Sequence, residues 1–125
     1  MRPSGITADS GFLIGVERRK QRAKALLDHA VARHLHITVP VAALAEWWRA
    51  GRRQARLLAF VQAEEMTERL AKTAGEALAA VPGATVVDAV VMASAASRGD
   101  VVYTSDFEDL GRLGDHFRSV KVLVV

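Results

Sequence analysis

The sequence predicts an α/β fold, a three-layer sandwich with a mostly parallel central sheet, on three observations. Short β-type runs alternate with helix-type segments along the whole chain. Val101-Val102-Tyr103-Thr104 reads as a strand from the interior of a parallel sheet. Residues 86–97 are apolar nearly all round, which marks a buried helix rather than an amphipathic one.

Taken in order, residues 5–8 form a short first strand ending at Asp9-Ser10-Gly11, a helix-start signal. Phe12, Leu13 and Val16 line a short helix, and the charged residues 17–21 interrupt its apolar pattern. Ala23, Leu26, Leu27, Ala30 and Val31 then recur at amphipathic-helix spacing. His36-Ile37-Thr38-Val39 is a brief buried strand, and Pro40 suits the first position of the next helix, where its missing N–H costs nothing. That helix puts Val41, Leu44, Ala45 and Trp48 on one side and ends at Gly51. A further helix fits residues 55–62, a short strand residues 66–70, and a helix residues 71–81, stopped by Pro82-Gly83. Gly99-Asp100 turns the buried helix into the strand over 101–104. A short helix over 106–113 and a strand over 120–125 complete the pattern.

At 125 residues and 13.5 kDa the chain suits one domain, residues 1–125, able to bury roughly two-thirds of its unfolded surface. A hydrophobic fraction of 50% with 25% charged residues argues against disorder. The absence of cysteine excludes disulfide scaffolds, thiolate metal sites and a cysteine nucleophile, and fits a reducing cytoplasm. No apolar run approaches the ~20 residues of a membrane span, and Met1-Arg2-Pro3-Ser4-Gly5 has no signal-peptide core, so a cytoplasmic location without membrane contact is expected. His29, His34, His36 and His116 share no metal-ligand spacing, and there is no Walker or dinucleotide glycine pattern. Gly111-Arg112-Leu113-Gly114 matches the G-x-x-G of an RNA-binding KH loop, but the surrounding element order does not.

The net charge of +3 hides a division: residues 17–56 carry ten Lys/Arg against Glu17, Asp28 and Glu46, a net of +7, and the remainder nets −4. Such a split suggests an anionic partner, or simply a solvated basic face. Four acids stand among apolar or small neighbours: Asp9, Glu46, Asp88 and Asp106. Asp9 and Asp106 follow predicted strands, where an open α/β sheet gathers its ligands. Asp88 shares a helical face with Val91, Met92 and Ala95 and should point inward. Carboxylates facing one another repel and are tolerated when a divalent cation lies between them; oxygen ligands favour Mg²⁺ or Mn²⁺. Helix capping accounts equally well for Asp9, Asp88 and Asp106 taken singly, and periodicity leaves Glu46 off the buried stripe.

Asp9-Ser10-Gly11-Phe12-Leu13-Ile14, Ala45-Glu46-Trp47-Trp48-Arg49, Val87-Asp88-Ala89-Val90-Val91-Met92-Ala93 and Thr104-Ser105-Asp106-Phe107-Glu108-Asp109-Leu110 occur in the order and spacing of PIN domains. The chain resembles most the VapC-type toxins of toxin–antitoxin pairs, over essentially its whole length. The resemblance implies a metal-dependent endoribonuclease using one or two Mg²⁺ or Mn²⁺ ions. Asp9, Glu46, Asp88 and Asp106 match its acidic quartet, which binds the metal. Thr104 matches the hydroxyl residue before the last acid, Asp109 an assisting acid, and Ser10 a small or hydroxyl position that could bond a carboxylate. The implied reaction is hydrolysis of an RNA phosphodiester by metal-activated water, leaving 5′-phosphate and 3′-hydroxyl ends.

An acidic cleft repels RNA unless cations flank it, which makes Arg18, Arg19, Lys20, Arg49, Arg52 and Arg53 RNA-binding candidates. Trp47 and Trp48 cannot both face one way on a helix; Trp48 falls on the apolar stripe, leaving Trp47 exposed as an interface candidate. The resemblance implies a cognate antitoxin, whose C-terminal segment lies in a groove near this region, and a homodimer. Three alternatives are a housekeeping RNA-processing nuclease of the same fold, a phosphoacceptor receiver and a catalytically silent binding module. The receiver needs an adjacent acidic pair after its first strand, and Asp9 stands between Ala8 and Ser10.

Overall fold

The computed structural model describes residues 5–105 and 107–125, the Asp109 side chain excepted. Strand β1, Ile6–Ala8, is buried throughout and leads into Asp9, whose carboxylate accepts the Phe12 amide at 2.8 Å and starts helix α1, Ser10–Glu17. Helix α2, Gln21–Ala32, buries Ala23 and Ala30. Strand β2, Ile37–Pro40, is buried at all four positions.

Pro40, at φ −60° and ψ 142°, caps helix α3, Val41–Trp47, rather than standing inside it. That helix stops before the expected Gly51, because Trp48 is already extended at ψ 129°. Gly51 instead opens helix α4, Arg52–Leu57, where Gln54 Oε1 accepts the amides of Arg49 at 2.7 Å and Gly51 at 3.3 Å. A 3-10 turn, Leu58–Phe60, replaces the end of the helix expected over 55–62.

Strand β3 is Gln62–Glu64, and the strand expected over 66–70 is not there. Thr67 accepts the Leu70 amide at 3.0 Å and starts helix α5, Glu68–Ala80, with Glu68 in its first turn. An acid in that first turn is favoured by the free amides of the helix N-terminus. Helix α6, Val86–Arg98, begins with Thr85 accepting the Asp88 amide at 3.2 Å and ends at Gly99, whose φ of 70° is left-handed. Strand β4, Val101–Thr104, helix α7, Phe107–Gly114, and strand β5, Lys121–Val124, follow.

All five strands are parallel, in the order β3-β2-β1-β4-β5. The chain steps outward from β1 to β3, then crosses back over β1 to β4 and β5. Because parallel crossovers are right-handed, this reversal puts the helices of the two halves on opposite faces of the sheet. The expected α/β sandwich is therefore found, with a sheet that is wholly parallel among the described residues.

Helix α6 is the centre of the core, buried without a break from Ala89 to Ala95. Phe12 of α1 meets Tyr103 of β4 with ring centroids 5.5 Å apart, and Leu110 and Leu113 of α7 are fully buried. Each large side chain so buried contributes roughly 1.5–3 kcal/mol. One cation is built into this framework. Arg98 pairs with Glu64 of β3 and donates to Asp100 Oδ2 at 3.0 Å, Thr7 Oγ1 at 2.8 Å and Ser94 Oγ at 2.7 Å. Its guanidinium thus ties α6 to β3, to β1 and to the entry of β4.

Candidate active site

Strands β1 and β4 are neighbours whose connections leave in opposite directions, and such a switch point opens a crevice beyond the carboxyl ends of the strands. Asp9 follows β1, and Ser105 follows Thr104, the last residue of β4. A cavity of about 300 Å³ lies there, lined by Asp9, Ser10, Gly11, Ile14, Glu46, Thr85, Asp88 and Ser105. Three of the four expected acids thus reach one cavity from three elements: the start of α1, α3 and the first turn of α6. Asp106 lies outside the described residues, as does the Asp109 side chain.

Asp9 is 8% exposed. Burial pushes its carboxyl above the ordinary range; hydrogen bonds from the Thr104 side chain and the Phe12 amide pull it down, and the charges of Asp88 and Glu46 push it up again. Thr104 is fully buried. Glu46 is exposed, as its spacing implied, and accepts the Ser10 hydroxyl at 3.1 Å. The bland reading of Asp9 as a helix cap is correct without displacing the other, since the same carboxylate caps α1 and faces the cavity. For Asp88 the cap is Thr85, and the acid stands in the first turn of α6, where a helix N-terminus also favours negative charge.

The donor set consists of carboxylate and hydroxyl oxygens, which suits a hard divalent cation. Asp9 loses water contact beside two further carboxylates, and a cation would offset both costs. Among the described residues no three acidic or imidazole side chains stand close enough to enclose an ion by themselves.

Sequence reasoning passed over Ser105 as a part of this wall. A Cβ at Gly11 would run into Ser105 Oγ and stand 3.4 Å from Asp9 Oδ1, so a larger residue there would force the Ser105 hydroxyl to move. The adjacency of Ser105 to the expected quartet was the available signal. Thr85 was also missed, although Thr85-x-x-Asp88 is the pattern of a helix start.

The six basic candidates divide into three groups. Arg18 and Arg49 line a second cavity of about 280 Å³, which shares Ile14 and Glu46 with the first and so continues it. Arg49 also donates to the carbonyls of Trp48 at 2.6 Å and Ala45 at 3.3 Å. Arg19 and Arg53 line a groove of about 200 Å³ with Lys24, Arg56, Leu27, Leu57 and Phe60. Lys20 and Arg52 are exposed and line none of these hollows.

Trp47 is not the exposed residue that the helical stripe implied. It is 3% exposed, and its Nε1 donates to Glu17 Oε1 at 2.9 Å. The helix ends at Trp47, so the stripe's extension to Trp48 fails, and the buried face runs from Ala43 to Trp47. Gln54, also buried, donates to the Trp47 carbonyl at 2.8 Å and to Glu17 Oε1 at 3.3 Å. Trp48 is half-buried against the core.

No protein-family model matches the chain, and no curated protein matches it in sequence. Solved structures do match. A chain of VapBC2 from Rickettsia felis, bound to a DNA fragment from its promoter, superposes with a TM-score of 0.74 at 9% identity, over 96% of this chain and 98% of that one. DNA-bound VapBC from Salmonella typhimurium gives 0.73 at 12% identity, over 98% of each chain. A toxin–antitoxin complex from Klebsiella pneumoniae gives 0.70 at 15% identity, over 94% and 95%. This chain therefore has the α/β fold found in these toxin–antitoxin complexes. That is the PIN-like fold the sequence motifs led us to expect.

Proposed function

We propose that this chain is a Mg²⁺- or Mn²⁺-dependent endoribonuclease, the toxin of a VapBC-type pair neutralised by a cognate antitoxin. The observation that carries this reading is the meeting of Asp9, Glu46 and Asp88 on one cavity at the sheet's switch point. These three, with Asp106 as the fourth acid matched in the sequence, would hold the cation. When bound, the ion supplies positive charge at the phosphate and a water of lowered pKa.

The chain's own residues set the rest. Thr104 and the Phe12 amide fix Asp9, and Ser10 fixes Glu46. Arg18 and Arg49, in the continuing cavity, take flanking phosphates and offset the repulsion between RNA and the acids. No side-chain nucleophile is required. The antitoxin is inferred from the likeness to chains of toxin–antitoxin complexes.

Incubation of the purified protein with total RNA, with Mg²⁺ or with EDTA, tests the activity when new 5′ ends are mapped. We expect 5′-phosphate ends that appear only with the metal and are lost in Asp88→Asn. Equal cleavage in EDTA, or by Asp88→Asn, would refute the proposal.

A further inference from the structure

Ser105 lines the same cavity as the three carboxylates, yet the chemistry described above gives it no task. Its side chain is exposed, and its hydroxyl makes no hydrogen bond to the described residues. Its oxygen occupies the space that a Cβ on Gly11 would need, and that Cβ would stand 3.4 Å from Asp9 Oδ1. A serine hydroxyl carries one donor, and the strongest acceptor an anionic substrate brings into such a cavity is a phosphate oxygen.

We propose that Ser105 is a substrate-contacting residue whose hydroxyl donates to a non-bridging oxygen of the scissile phosphate, and that Gly11 keeps the space this hydroxyl needs. This rests on the ribonuclease reading and adds to it a specific contact. Ser105→Ala removes the donor at an exposed position and leaves the fold intact. Gly11→Ala displaces the same hydroxyl from the other side.

The test uses an RNA carrying a single phosphorothioate, Rp or Sp, at the mapped cleavage site, in single-turnover reactions. Sulfur accepts a hydroxyl hydrogen bond poorly, so replacing the contacted oxygen penalises the wild type. We expect Ser105→Ala to slow cleavage of the ordinary RNA by about ten- to a hundredfold, the worth of one hydrogen bond to a charged group. The penalty for one phosphorothioate isomer should shrink in that variant, and Gly11→Ala should give the same isomer pattern. A Ser105→Ala variant with wild-type rate and unchanged isomer penalties overturns the contact while the wild type's metal-dependent cleavage stands. A loss that follows 2′-deoxy substitution instead of either isomer also overturns it. A wild type that cleaves no RNA with metal present removes the underlying reading as well.

Discussion

Asp9 answers to two demands. It must accept the Phe12 amide to start α1, and it must stand buried beside Asp88 and Glu46. The second raises its pKa above the ordinary 3.8, so its contribution to stability is present below that value and is lost as pH rises through the raised one. Asn keeps the acceptor without the charge. In EDTA, Asp9→Asn is expected to melt at or above the wild-type temperature, with a gap that widens as pH is raised. In excess Mn²⁺ the order should reverse, because the wild type gains about 2.7 kcal/mol at a hundredfold excess over Kd. Differential scanning fluorimetry across pH reads both; a variant that melts below wild type in EDTA at every pH contradicts the assignment. From sequence alone, capping and a shared cleft were competing readings of Asp9. Only the strand order shows that a residue after β1 can do both.

The element scale is where local patterns misled and where stability is easiest to test. A helical stripe exposes Trp47 only if the helix continues through Trp48, and Gln54, which accepts the Arg49 amide and donates to the Trp47 carbonyl, helps to end it one residue earlier. The signal for that ending is a glutamine 6 residues beyond Trp48, which no periodicity reports. Trp47→Ala should cost about 3–5 kcal/mol in urea unfolding, the range for emptying a buried aromatic site. A loss under about 0.5 kcal/mol, the surface range, would mean the ring is not in the core. The role of Arg98 was equally invisible, because two of its partners, Thr7 and Glu64, lie far from it and from each other in sequence. Arg98→Met leaves Asp100, which is 6% exposed, with the Thr7 hydroxyl but without its cation, and should destabilise by about 2–4 kcal/mol. Unchanged urea unfolding would contradict the tie. By contrast, α6 and β4 were legible to within a residue, since an all-apolar helix and a β-branched run admit few other readings.

At the scale of the whole molecule, the parallel order β3-β2-β1-β4-β5 brings acids from distant stretches of sequence to one end of the sheet. The division of charge then has a spatial meaning, because Arg18 and Arg49 continue the acidic cavity. If both contact phosphates, Arg18→Gln with Arg49→Gln should lower the slope of log binding against log salt by about 0.7 per lost contact on single-stranded RNA. An unchanged slope in filter binding would return these residues to a merely solvated face. The basic character of the region was plain in the composition. Its partition between two hollows was not, because that depends on how α1, α3 and α4 pack.

The claim beneath all of this is that carboxylates separated along the chain form one site for a divalent cation. Isothermal titration of Mn²⁺ into the purified protein tests it most directly. We expect saturable binding of one or two ions that is lost in both Asp9→Asn and Asp88→Asn. Absence of binding, or equal binding by those variants, would contradict it.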